Sequence, residues 1–88
     1  MEIKKSREKI DTLDREIVKL LVERMNLSAE IASYKKANAI PLFDKTREED
    51  LLEKIVSLSG DVSDYTQKIY LEILKQSKAY QEKITNKN

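Results

Sequence analysis

The sequence has no cysteine, no histidine and no tryptophan, and only one glycine and one proline. Without cysteine there is no disulfide framework, and without cysteine or histidine the usual ligands of a structural zinc site are missing. The same absences leave no cysteine to act as a nucleophile and no histidine to act as a proton relay. One glycine and one proline leave few places to turn, because turns need their own backbone punctuation. Together with 38% charged residues, that scarcity points to long amphipathic helices and an all-α fold. Neither sign of charge dominates: 17 Lys plus Arg stand against 16 Asp plus Glu, a formal net charge of +1. No broad field therefore favours nucleic acid or an anionic membrane. No apolar run approaches the ~20 residues of a membrane span, and the opening Met-Glu-Ile-Lys-Lys-Ser lacks the apolar core of a signal peptide. The reading is of a soluble, cytoplasmic protein with no nucleic-acid or membrane partner.

At 88 residues the chain makes one domain, residues 1–88, and a monomer of this size buries only about 60% of its unfolded surface. With disulfides and zinc excluded, oligomerisation is the remaining source of stability. No internal repeat is visible, and Thr85 to Asn88 read as a frayed end.

From Ser6 to about Asn38 nothing breaks a helix. Ile10, Leu13, Ile17, Leu20, Arg24, Leu27, Ile31 and Tyr34 follow in steps of three and four, a heptad seam with one arginine in it. Such a helix is a rod of ~45 Å, whereas a compact chain of this length has a radius of gyration near 12 Å and a diameter of about 30 Å. The overhanging stripe calls for the same stripe on a second copy, which gives a two-fold homodimer. Pro41 ends the first helix. Asp44 or Thr46 caps the second, with Thr46 and Glu49 as a capping box and Leu51, Leu52, Ile55 and Leu58 as its apolar face. Gly60 stops it. Asp61 or Ser63 caps a third helix to about Ile84, whose buried side is Tyr65, Ile69, Ile73, Leu74, Tyr80 and Ile84. The expected architecture is three helices per chain, one long, one short and one medium.

Some residues on these apolar faces are polar. Arg24 sits where the heptad asks for a hydrophobe. It either meets an anion there, since an unpaired buried guanidinium is costly, or merely sets dimer register. Lys35, three turns on, shares its face, ~16 Å along the axis; alone it reads as a solvated surface lysine. Arg47 and Glu48 extend the stripe of Leu51 and Ile55, and Asp44 lies one turn before Glu48. The plainer account is an ordinary first helical turn with a surface ion pair. Ser77 and Gln81, one turn apart, continue the line of Ile73 and Leu74, as pocket donors or as boundary residues near a helix end. Together these groups outline a polar pocket inside the bundle. Its excess of cations suits an anionic organic ligand.

From Ser6 to Gln81 the chain resembles the all-helical class of chorismate mutases. The likeness rests on Arg7-Glu8-Lys9-Ile10 with Leu13-Asp14, Leu20-Leu21-Val22-Glu23-Arg24, Lys35, Pro41 with Asp44, Arg47-Glu48, Leu51-Leu52-Glu53, and Ser77 with Gln81. The resemblance implies an intertwined homodimeric helical bundle that rearranges chorismate to prephenate, on the route to phenylalanine and tyrosine, without cofactor or metal. It implies that Arg7, Arg24 and Arg47 contact the substrate carboxylates and that Ser77 lines their end of the pocket. Lys35 and Gln81 are implied at the ether oxygen of the breaking bond, and Asp44 with Glu48 at the ring hydroxyl. Lys35, Gln81, Arg24 and Glu48 are the implied catalytic residues. Arg7 lies 17 residues before Arg24, ~25 Å along the same helix and about 100° around it. The resemblance accordingly implies that Arg7 comes from the partner subunit.

Two other functions stay in view: an isochorismate-pyruvate lyase of the same fold, and a non-catalytic dimerisation module. The residues end with the third helix, so a monofunctional protein is expected, with no attached dehydratase, dehydrogenase or synthase domain. The short connections further suggest no feedback by aromatic amino acids.

Overall fold

A computed structural model describes residues 2–86. Helix α1 spans Ile3–Ala37, α2 spans Lys45–Ser59, a 3-10 turn spans Gly60–Val62, and α3 spans Ser63–Thr85. No strand occurs among the described residues. The second and third helices are less separate than expected: no coil residue parts them, so the chain makes two helical stretches, 3–37 and 45–85, the second turning at Gly60.

α1 begins three residues ahead of the expected Ser6, because the Ser6 amide donates to the Glu2 carbonyl at 3.2 Å and draws the preceding turn into the helix. It stops before Pro41 can act. Ala39 adopts a left-handed φ of 54°. The Ile40 amide then returns to the Lys35 carbonyl at 2.9 Å and the Ala39 amide to Lys36 at 3.4 Å, the paired bonds of a Schellman ending. The Asn38 side chain covers the Tyr34 carbonyl at 2.8 Å.

Asp44 caps α2, its carboxylate accepting from the Arg47 amide at 3.0 Å. The expected Thr46–Glu49 capping box does not form, since Asp44 takes the N-cap position and Thr46 lies inside the helix. Gly60 ends α2 with φ 57° and ψ −132°, a region that side chains avoid. Neither Asp61 nor Ser63 caps α3. The 3-10 turn feeds straight into it, the Ser63 amide donating to the Gly60 carbonyl, so no capping side chain is required. Thr85 is not frayed: it closes α3, and its hydroxyl donates to the Gln81 carbonyl at 3.0 Å. Lys87 and Asn88, the rest of that expected frayed end, lie outside the described residues.

α3 is the shared support. It packs against α1 and against α2, while the α1 and α2 backbones do not meet. α1 turns Leu21, Met25, Ser28 and Ala32 inward, a stripe distinct from the heptad seam. Ala32 is fully buried and Ser28 and Ser77 nearly so, and these small residues let the two helices come close. The Ser77 hydroxyl donates to the Ser28 hydroxyl, and Lys36 donates to the Thr85 carbonyl, both across 49 residues. This constant offset makes α1 and α3 parallel.

The remainder of α1 has no cover from its own chain. Leu13, Ile17 and Leu20 are 52–60% exposed, and among the described residues no large side chain is fully buried. The chain measures 55 × 26 × 14 Å with a radius of gyration of 16.2 Å, against about 12 Å for a compact chain of this length. The expected buried sides are also only partly buried. Ile55 is buried and Ile73, Leu74, Tyr80 and Ile84 are half-buried, whereas Leu58, Tyr65 and Ile69 are exposed. The cause is the same: α1 closes on α3 only from Leu21 onward, so nothing of this chain lies over the Gly60 end of the hairpin.

Candidate active site

Because α1 and α2 lean separately on α3, the space between them is a cleft floored by α3. Its volume is about 320 Å³, the size that takes a small metabolite. α1 supplies Arg24, Leu27, Ser28, Ile31 and Lys35 to one wall. The other wall is Asp44, Arg47, Glu48 and Leu51, with Leu42 and Phe43 from the connection; Leu74, Ser77 and Gln81 form the floor. Seven of the eight expected site residues thus meet in one place. The eighth, Arg7, is exposed on the overhanging part of α1 and does not line the cleft.

The charges inside are unevenly engaged. The Glu48 carboxylate lies 2.9 Å from Lys78 Nζ, and the Asp44 carboxylate holds the Arg47 amide. Among the described residues, neither the Arg24 nor the Arg47 guanidinium has an ion-pair partner. Among the described residues Lys35 Nζ donates to the Leu42 carbonyl alone, at 3.1 Å, which leaves two of its three protons for a ligand. Gln81 donates through Nε2 to the Ser28 carbonyl at 3.0 Å, which orients the amide and leaves its second N–H available. The acids are therefore occupied while the cations stay open. That arrangement suits a ligand with carboxylates of its own, since guanidinium groups take carboxylates in a bidentate grip.

The hydroxyl of Ser77 points at Ser28, so its first task is to join floor to wall. Ser28 was missed as a site residue, although its place one turn after Arg24 was the available signal. Lys78 was also missed. Next to Ser77 on a charged helix it looks like any solvated lysine, and only the folded chain puts it behind Glu48. Among the described residues no three Asp or Glu side chains gather where they could hold a metal ion, and no helix is long and apolar enough to cross a membrane.

Comparisons with known proteins show the family. The family model of chorismate mutase type II matches residues 6–82, nearly the whole described chain. The chain belongs to this family. It is 33% identical over 89 residues to the chorismate mutase of Methanocaldococcus jannaschii, covering 93% of this chain and 90% of that protein. It is 36% identical over 84 residues to the bifunctional chorismate mutase/prephenate dehydratase of Buchnera aphidicola, covering 92% of this chain and 22% of the relative. Its identity to the bifunctional protein of Aquifex aeolicus is 33% over 89 residues, covering 94% of this chain and 25% of the relative. The chain thus spans no more than a quarter of the bifunctional relatives' length.

Proposed function

We propose that this domain is a chorismate mutase, which rearranges chorismate to prephenate in the cleft between α1 and α2. The observation that carries the reading is the open cations, Arg24 and Arg47 without counter-ions among the described residues, beside acids that already have partners. Chorismate brings two carboxylates to them. Arg24 itself speaks against a mere register device, because it lines the cleft.

The reaction is an intramolecular Claisen rearrangement: the ether C–O bond breaks as a C–C bond forms, with no nucleophile or proton relay. Positioning does the work. Arg24 and Arg47 hold the carboxylates so that the reacting ends face each other, and Ser77 lines their end. The free donors of Lys35 and Gln81 stabilise charge building on the ether oxygen. Asp44 and Glu48 flank the ring hydroxyl. No cofactor takes part.

The working unit is an intertwined homodimer. The uncovered seam of α1 is self-complementary in character, and a second copy laid along it removes a long apolar stripe from water. Arg7 of the partner subunit completes each site, which accounts for a residue that its own chain leaves outside the cleft. The setting is the cytoplasm, in synthesis of aromatic amino acids.

The test follows chorismate absorbance with purified protein and identifies the product. Prephenate should form, and Arg24→Ala or Lys35→Ala should each reduce the rate by about 10²–10³ with the dimer intact, as for loss of one preorganised donor. Pyruvate from isochorismate, without prephenate, would replace the mutase by a lyase. An inactive but dimeric wild type would point to a dimerisation module.

A further inference from the structure

Lys78 stands outside the cleft wall, yet it touches two residues that form it. Its Nζ lies 2.9 Å from Glu48 Oε1 and 5.5 Å from the centre of the Phe43 ring. Both side chains of the ion pair are partly buried, 38% exposed for Lys78 and 27% for Glu48. Among the described residues, Lys5–Glu2 and Lys45–Glu49 are local ion pairs and more exposed. Among the described residues, Lys78–Glu48 is the ion pair that joins α2 to α3.

The position matters because of what Glu48 would do unheld. It shares the cleft with Arg24, Lys35 and Arg47, and a loose carboxylate there would turn to one of them. It would also repel an arriving dianion. A cation behind Glu48 draws the carboxylate to the α3 side and leaves the cleft's own cations open. The ring of Phe43 steadies the ammonium. One lysine thereby fixes both the connection before α2 and the carboxylate at its first turn.

We infer that Lys78 is a positioning residue for dianion binding: it holds Glu48 against α3 so that Arg24, Lys35 and Arg47 remain free for the ligand. This rests on the proposed mutase reading and adds to it a residue that does not contact substrate.

The experiment measures the affinity of the full chain for prephenate by calorimetry, with kcat and KM for chorismate beside it. Lys78→Gln should weaken prephenate binding by about fivefold, the effect of removing one partner of a partly exposed ion pair, and raise KM more than it lowers kcat. Lys78→Arg should restore binding to within about twofold, because a guanidinium reaches the same carboxylate. In a Glu48→Gln background, where no carboxylate needs holding, Lys78→Gln should change prephenate binding by less than about twofold. An equal loss in both backgrounds would mean that Lys78 acts as a bare charge, and overturns the inference. So does a Lys78→Gln variant that binds and turns over like wild type, while wild-type activity keeps the mutase reading intact. A wild type that neither binds prephenate nor consumes chorismate overturns both together.

Discussion

Ser77 and Ser28 share a hydrogen bond of 2.9 Å between two nearly buried hydroxyls, one from the floor of the cleft and one from its wall. Each is the other's partner where α1 meets α3. Removing either should therefore cost more than removing the second. Ser28→Ala or Ser77→Ala should lose about 1 kcal/mol of stability, and the double variant little more, because the stranded hydroxyl is then gone as well. Urea unfolding at one fixed protein concentration measures this; strictly additive losses would show that the two hydroxyls are not coupled.

If each site takes Arg7 from the other subunit, two inactive variants can repair each other. Arg7→Ala and Arg24→Ala should each be nearly inactive alone. An equal mixture, unfolded and refolded together, should recover about a quarter of wild-type activity, since half the dimers are mixed and each mixed dimer has one intact site of two. A mixture no better than its parts would place both arginines' roles within one chain.

The seam of α1 makes the next case. Ile17 is 52% exposed in the single chain, and a second copy would bury it. The melting temperature of the wild type should rise with protein concentration. Ile17→Asp should abolish the dimer and lower the melting temperature, because an unpaired carboxylate would have to enter an apolar seam. Lys19→Glu, off the seam, should leave both unchanged. A wild type that sediments as a monomer would rule out the shared stripe.

Two backbone positions should respond in opposite senses. Ala39 holds a φ of 54° without being glycine, so Ala39→Gly should stabilise by about 0.5–1 kcal/mol, the relief of left-handed strain outweighing the added freedom of the unfolded chain. Gly60 holds φ 57° with open space where a Cβ would sit. Gly60→Ala should therefore lose about 1–2 kcal/mol from backbone strain alone. Equal signs in denaturant unfolding would contradict this account.

The contrast between these two positions shows what could be read from the chain and what could not. Gly60 was legible as a helix end because glycine is the usual residue there. Pro41 marked the end of α1 to within a residue or so, but Ala39 was not legible as the left-handed stop, since alanine favours helix, and only the bonds from Ile40 and Ala39 back to the last turn reveal it. Arg24 was legible because it interrupts a run of hydrophobes. Lys78 was silent because a lysine on a charged helix interrupts nothing. Tyr65 and Ile69 carry the spacing of a buried face, but periodicity says that a face wants cover without saying which chain provides it. Asp61 and Ser63 read as caps of α3 but are not, for a related reason: a 3-10 turn leads into that helix with backbone bonds alone.

Separate attachment of α1 and α2 to α3 also sets an order in time. The α2–α3 hairpin closes through the three residues of the 3-10 turn, whereas Ser28 must find Ser77 across 49 residues. Closing the shorter loop costs less entropy, so the hairpin is predicted to form first and α1 to dock afterwards. Folding kinetics would then show Ile55→Val already felt at the rate-limiting step and Ala32→Gly felt mainly in unfolding, and the reverse order would refute it. Until α1 arrives, α2 and α3 present one wall and a floor but no enclosed space, so a half-folded chain holds no partly working site.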